Sequence, residues 1–203
     1  MKRKIKGLAP LISTILIVGV LAVLTFSAHY WGKPIIEKNV DITTLNKAEE
    51  FLRNLDRRID SIAKYGGTDE VIYRLSGEIE VNPQENKIEF FVDTVGTIYS
   101  PNIFVCFSRN CDLQEGNWGK DSYSVIGVYV YQNMGELTSN HYKIIYRNLT
   151  AYENGNKQTY MVDLVTTGNL TFVGSKDSKI IIRRIGIKRN NDVTKTVVEI
   201  DIR

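Results

Sequence analysis

The chain has 203 residues, of which 43% are hydrophobic and 24% charged, a composition that supports one medium domain and excludes disorder along the whole length. Its 26 lysines and arginines against 23 acidic residues give a net charge of +3, far short of the basic excess of a nucleic-acid surface. Lys2, Arg3, Lys4 and Lys6 supply the imbalance, since without them 22 basic residues face 23 acidic ones.

The first element is an apolar helix. None of the 26 residues from Gly7 to Gly32 carries a formal charge at pH 7. As a helix they would span about 39 Å, enough to cross a hydrocarbon core of about 30 Å. The basic cluster before this segment places the N-terminus on the cytoplasmic side, and Tyr30-Trp31 sets an aromatic pair at the far interface. Everything after Lys33 is then expected outside the cell. A cleaved secretory signal peptide is the rival reading. The uncharged run exceeds the h-region of roughly 7 to 15 residues that such peptides carry, and Thr25-Phe26-Ser27 is a poor match to a small-x-small cleavage site.

The junction Lys6-Gly7 followed by Leu8-Ala9-Pro10-Leu11-Ile12-Ser13-Thr14-Ile15-Leu16 resembles the class III signal peptide of archaeal type IV pilins. The resemblance implies that a membrane aspartic peptidase of the cell cuts between Gly7 and Leu8. That cut removes a leader, residues 1–7, with the charges of Lys2, Arg3, Lys4 and Lys6. Ala9 stands where the family often has Ser. Bacterial pilins carry Glu at the fifth mature position, where this chain has Ile12, so subunit register would have to come from packing. The matching stretch covers about a tenth of the chain, by count of the residues quoted.

Beyond the apolar segment, Leu45, Ala48, Leu52, Leu55, Ile59 and Ile62 recur at alternating intervals of three and four with charged residues between them. This predicts an amphipathic helix with one dry face, stopped by Gly66-Gly67. A helix unbroken from Leu8 to Tyr65 would run about 87 Å, and Pro34 is expected to bend it near the membrane surface. The stripe can pack against the rest of the chain or form a short coiled-coil seam with another copy. The first reading is preferred because the stripe is shorter than three heptads.

After Gly67 the pattern changes to period two. Nine strands are predicted: 71–81, 87–92, 103–107, 125–131, 142–152, 159–166, 170–173, 179–188 and 193–202. Turn chemistry stands at Asn82-Pro83-Gln84-Glu85-Asn86, Asn154-Gly155-Asn156 and Asn190-Asn191-Asp192. The expected class is therefore α+β: a long N-terminal helix, transmembrane over 8–32 and amphipathic over 33–66, followed by an antiparallel β-sandwich head over 67–203.

Cys106 and Cys111 flank the four residues 107–110; outside the cell they are expected to form a disulfide. Asn148-Leu149-Thr150 and Asn169-Leu170-Thr171 are N-glycosylation acceptor patterns. Nine of the eleven tyrosines lie in the head, Tyr129, Tyr131, Tyr142, Tyr146, Tyr152 and Tyr160 among them. They read either as ordinary strand residues or as an adhesive or carbohydrate-binding face. No nucleophile elbow, P-loop, zinc motif or dinucleotide fingerprint occurs, and His141 is the lone histidine of the head. Neither an enzyme activity, nor a cofactor or metal site, nor nucleic-acid binding is expected.

The resemblance implies a structural subunit of a surface filament. Its helices would form the core of a homopolymer and its heads would face outward for adhesion. Its partners would be a prepilin peptidase, an assembly ATPase and a membrane platform. Before assembly the chain would sit in the cell membrane as a single pass. The alternatives are an anchored surface or archaellum-accessory, stator-like protein that never polymerises, and an anchored sugar-binding module.

Overall fold

The computed structural model describes residues 8–132, 137–153, 155–167, 172–173 and 177–203. One helix, α1 (Leu8–Tyr65), precedes the strands β1 (Thr68–Tyr73), β2 (Glu78–Asn82), β3 (Lys87–Thr94), β4 (Phe104–Cys106), β5 (Glu115–Asn117) and β6 (Ser124–Gln132). The strands β7 (Thr138–Tyr146), β8 (Asn148–Glu153), β9 (Asn156–Thr166), β10 (Phe172–Val173), β11 (Ser178–Asn190) and β12 (Val193–Ile202) follow. The class is α+β. The strands form two six-stranded sheets, the first in the order β1-β11-β12-β9-β8-β5 and the second in the order β10-β2-β3-β7-β6-β4. The chain divides into two compact units, Met1–Val40 and Asp41–Arg203.

The helix begins at Leu8, contains Pro34 and ends where the glycine pair predicts. Gly66 has φ +80° and its N–H donates to Ile62 O at 2.8 Å, a left-handed cap that a residue with a Cβ adopts only at a cost.

Two predicted strands are each two strands of different sheets. The run 71–81 is divided between β1 in the first sheet and β2 in the second. The break falls at Gly77, whose φ is +131° and where a Cβ would lie 2.4 Å from Phe91 O; the Tyr73 hydroxyl donates to Gly77 O at 2.5 Å. The run 142–152 is divided between β7 and β8 at Arg147. That arginine is buried and donates from Nη1 to Asp112 O at 2.5 Å and from Nε to Ser122 O at 3.3 Å. A buried guanidinium needs such acceptors, and they hold the chain where it leaves one sheet for the other. Of the predicted strand 170–173, Leu170 and Thr171 lie outside the described residues, as does Asn154 of the predicted turn 154–156.

The first sheet is mixed, not wholly antiparallel as expected, whereas every pair of the second is antiparallel. β12 pairs with β9 in parallel, and β5 pairs with β8 in parallel. Alternation of apolar and polar residues reports which face a side chain takes and carries no information on strand direction. Parallel neighbours require a long return connection, and here β6 and β7 of the second sheet lie in sequence between β5 and β8.

Within the unit 41–203, Leu45, Ala48, Leu52, Leu55, Ile59 and Ile62 are all buried. They join one core cluster with Val71, Tyr73, Ile182 and Ile200 of the first sheet and Ile79, Phe90, Val128 and Ile144 of the second. The stripe thus packs inside its own chain. Phe51 meets Tyr73 edge to face at 5.7 Å and lies 6.2 Å from Phe90, and the buried Tyr142 hydroxyl donates to Leu45 O at 3.1 Å. Leu52→Ala is expected to cost about 2 to 5 kcal/mol of stability by leaving a cavity. Lys47→Ala on the exposed side should shift it by no more than about 0.5 kcal/mol; urea denaturation of the two variants measures the difference.

Candidate functional site: an apolar helix exposed on every side

The apolar part of α1 is exposed from Ile12 on. Every leucine, isoleucine and valine from Ile12 to Leu24 is between 51% and 65% exposed. Ile15, Leu16, Ile17 and Val18 are consecutive, and at about 100° per residue four successive positions look out on all sides of a helix. The segment is long and apolar enough to cross a membrane, and none of its apolar window is buried. Its polar groups are undemanding: the Thr25 hydroxyl donates to Leu21 O at 2.8 Å, a bond within the helix that needs no water. Nothing lies within 4 Å of the position a Cβ on Gly19 would take. Tyr30 and Trp31 are exposed at the end of the run, and the first ion pair follows at once, Lys33 with Glu37 at 3.7 Å.

Of the residues assigned to leader processing, Gly7, Lys2, Arg3, Lys4 and Lys6 lie outside the described residues, and Leu8 is the first residue of α1. In the unit 41–203, Cys106 and Cys111 form a disulfide with Cα atoms 6.1 Å apart. Their loop lies against α1: Arg53 donates to Phe107 O at 3.4 Å, and its guanidinium carbon sits 5.5 Å from the Phe107 ring centroid. Of the two acceptor patterns, Asn169 lies outside the described residues. Asn148 opens β8 within the parallel β5–β8 pair, its N–H donating to Gln114 O at 3.2 Å. The Thr150 hydroxyl of the same pattern donates to Gly116 O at 3.3 Å.

The six tyrosines do not share one face. Tyr142 and Tyr146 are buried in the core, Tyr152 is exposed, and Tyr160 stacks on Trp118 at 4.0 Å. Tyr129 and Tyr131 are neighbours at 4.5 Å, and Tyr131 lies 4.6 Å from His141, which meets Phe91 at 4.5 Å. Burial among these rings, with Lys143 nearby, holds the His141 imidazole below its ordinary pKa. That favours the neutral form at pH 7. Among the described residues no group of three or more His, Cys, Asp or Glu side chains converges as metal ligands do.

A buried acid on α1 escapes the sequence pattern. Asp56 is only 7% exposed, one turn from Asp60, whose Oδ1 is buried with no hydrogen-bond partner among the described residues. Burial drives the Asp56 pKa from 3.8 up to about 6, against the opposing hydrogen bonds from Ser124 and Tyr146 and with the Asp60 charge adding to the rise. The only sequence signal is an acid flanked by the stripe residues Leu52, Leu55 and Ile59.

Because the folded state holds the Asp56 proton more tightly than the unfolded chain, stability is greatest below about pH 4 as far as this group is concerned. It falls as the pH rises through about 6, by roughly 3 kcal/mol in total at 1.36 kcal/mol per pKa unit. Asp56→Asn, which cannot ionise, is expected to raise stability at pH 8 by about that amount and to change it little at pH 4; chemical denaturation at the two pH values measures both. Compared with known proteins, the chain matches no family model, no curated sequence and no solved structure.

Proposed function

We propose that this chain is a structural subunit of a type IV pilus-like surface filament, with the apolar part of α1 in the filament core and a β-sandwich head turned outward for adhesion. The observation that carries the reading is the exposure of the apolar helix on all sides. Leu8 to Trp31 contains twelve large aliphatic or Phe side chains, whose contact with water costs roughly 18 to 36 kcal/mol at about 1.5 to 3 kcal/mol each. Such a helix belongs in lipid before assembly and in a bundle of like helices afterwards.

Two features favour the bundle over a permanent anchor. Exposed apolar side chains continue past the aromatic pair at Ile35, Ile36 and Val40. The run from Ile12 to Val40 is therefore about 43 Å long, well beyond a hydrocarbon core of about 30 Å. Its outer end is interleaved with Lys33, Glu37 and Lys38, which lipid tails do not accept and a neighbouring helix does. Ser13, Thr14, Gly19 and Ser27 are also small enough for close helix approach. The sandwich arrangement of the head is supported by the single core cluster to which both sheets contribute.

Leader removal fits the same scheme. Drawing Lys2, Arg3, Lys4 and Lys6 through the bilayer would cost about 2.5 to 3.5 kcal/mol each near its centre, so cutting between Gly7 and Leu8 frees the helix for extraction by an assembly ATPase and platform. Glycans on Asn148 or Asn169 and the Cys106–Cys111 bond would suit an extracellular surface.

Mass spectrometry of the native N-terminus is the test. A mature chain that begins at Leu8 and is recovered in filaments is expected, and Gly7→Val should abolish both processing and filaments. Native material dispersed as single molecules that keep residues 1–7 would establish the non-polymerising membrane anchor instead.

A further inference from the structure

The edges of the first sheet are treated differently. At one end, the short strand β5 has its outward N–H groups closed off by carboxylates. Glu115 N donates to Asp112 Oδ1 at 3.1 Å and Asn117 N to Asp121 Oδ2 at 2.7 Å. Backbone N–H groups, of Gln114 and then Glu115 on Asp112 and of Asn117 on Asp121, hold both carboxyls below their ordinary pKa, so the caps stay charged at neutral pH. At the other end, Glu70 N of β1 donates to Asp69 Oδ1 at 2.8 Å. A strand edge supplied with side-chain acceptors has little left to offer a further strand.

Among the described residues the distal half of β11 carries no such cap. β1 pairs with β11 only from Ser178 to Arg183, whereas β11 continues along β12 to Asn190. A bulge at Arg184–Gly186 separates the two stretches. Beyond it, Gly186 to Asn190 have β12 on one side, and among the described residues no main-chain or side-chain group bonds their other side. Ile185, Ile187, Lys188, Arg189 and Asn190 are exposed.

Among the described residues the cations beyond the bulge have no internal counterpart. Arg183 pairs with Glu199, Arg184 donates to the helix-end carbonyls of Ala63 and Lys64, and Lys195 pairs with Asp163 at 3.5 Å. Lys188 and Arg189 make no ion pair among the described residues. Cations on an edge repel a like edge, including that of a second copy, and select an occupant of opposite charge. The vacant ladder positions select an extended backbone. Lys188 and Arg189 are consecutive and so point to opposite faces of the sheet, with Ile187 on the face of Arg189, so the occupant needs acidic residues at two successive positions and an apolar residue beside Ile187.

We propose that the outer edge of β11 from Gly186 to Asn190 is a docking strand for an extended segment of a partner protein that carries successive acidic residues flanked by apolar ones, added to the first sheet beside β11. The proposal is independent of how the apolar helix is housed. The test uses the full chain in detergent micelles and two labelled synthetic octapeptides, one in which Glu-Glu pairs alternate with Val-Val pairs and one with Lys-Lys in place of Glu-Glu. Fluorescence anisotropy reads binding and amide hydrogen exchange reads strand addition. The Glu peptide is expected to bind, to slow exchange within 186–190 by at least about tenfold, and to leave Glu115 and Asn117 unchanged. Lys188→Glu with Arg189→Glu should weaken it by about tenfold or more. The same charge change at exposed Lys47 and Lys120 should weaken it much less. Equal binding of both peptides would overturn the proposal, as would binding that leaves exchange along 186–190 unaltered. So would protection already present in the free protein and lost on dilution, which would assign the edge to a second copy.

Discussion

Two kinds of apolar surface lie on one helix, and the rest of the molecule follows from the difference between them. From Leu45 to Ile62 the apolar side chains form a stripe and are covered by the protein's own strands. From Ile12 to Val40 they surround the axis and are exposed. The hydrophobic effect acts equally on both. A stripe can be buried by folding, whereas a helix apolar all round must find a non-aqueous medium outside its own fold. The head therefore completes a core, and the N-terminal segment calls for lipid or for other helices.

A few polar groups are buried with that core, and among the described residues only Asp60 Oδ1, on the helix, lacks a hydrogen-bond partner. Asn140 is fully buried, yet its Nδ2 donates to Thr94 Oγ1 at 2.8 Å and its Oδ1 accepts from Thr97 Oγ1 at 2.8 Å. Asn86 joins the sheets: its Nδ2 donates to Val162 O at 2.7 Å and its Oδ1 accepts from Leu164 N at 2.9 Å. That side chain continues the ladder on β9 beyond the pairing with β8, which ends at Tyr160. Asp56 and Asp60 are less well compensated, and a carboxyl denied full hydration holds its proton more tightly. The polar interior fixes the crossovers between sheets, and the acids on α1 make the helix–strand packing sensitive to pH.

The sheet edges show how such a head avoids indiscriminate pairing. Carboxylates of Asp112, Asp121 and Asp69 occupy main-chain donors on the outer strands, while the uncapped part of β11 carries cations and follows a bulge. Both devices discourage contact between copies through their strands.

How much of this was legible in the residues depends on how local the cause is. The apolar run, the stripe from Leu45 to Ile62, the stop at Gly66 and most strand positions depend on periodicity and backbone preference within a few residues, and the sequence alone determined them. So did the closeness of Cys106 and Cys111. The division of 71–81 at Gly77 and of 142–152 at Arg147, the parallel pairing of β12 with β9, and the burial of Asp56 were not legible. Each depends on a group remote in sequence: Phe91 O above Gly77, the carbonyls of Asp112 and Ser122 around Arg147, and Tyr146 beside Asp56. Local pattern states which face a side chain prefers, and only the assembled fold decides what stands opposite that face.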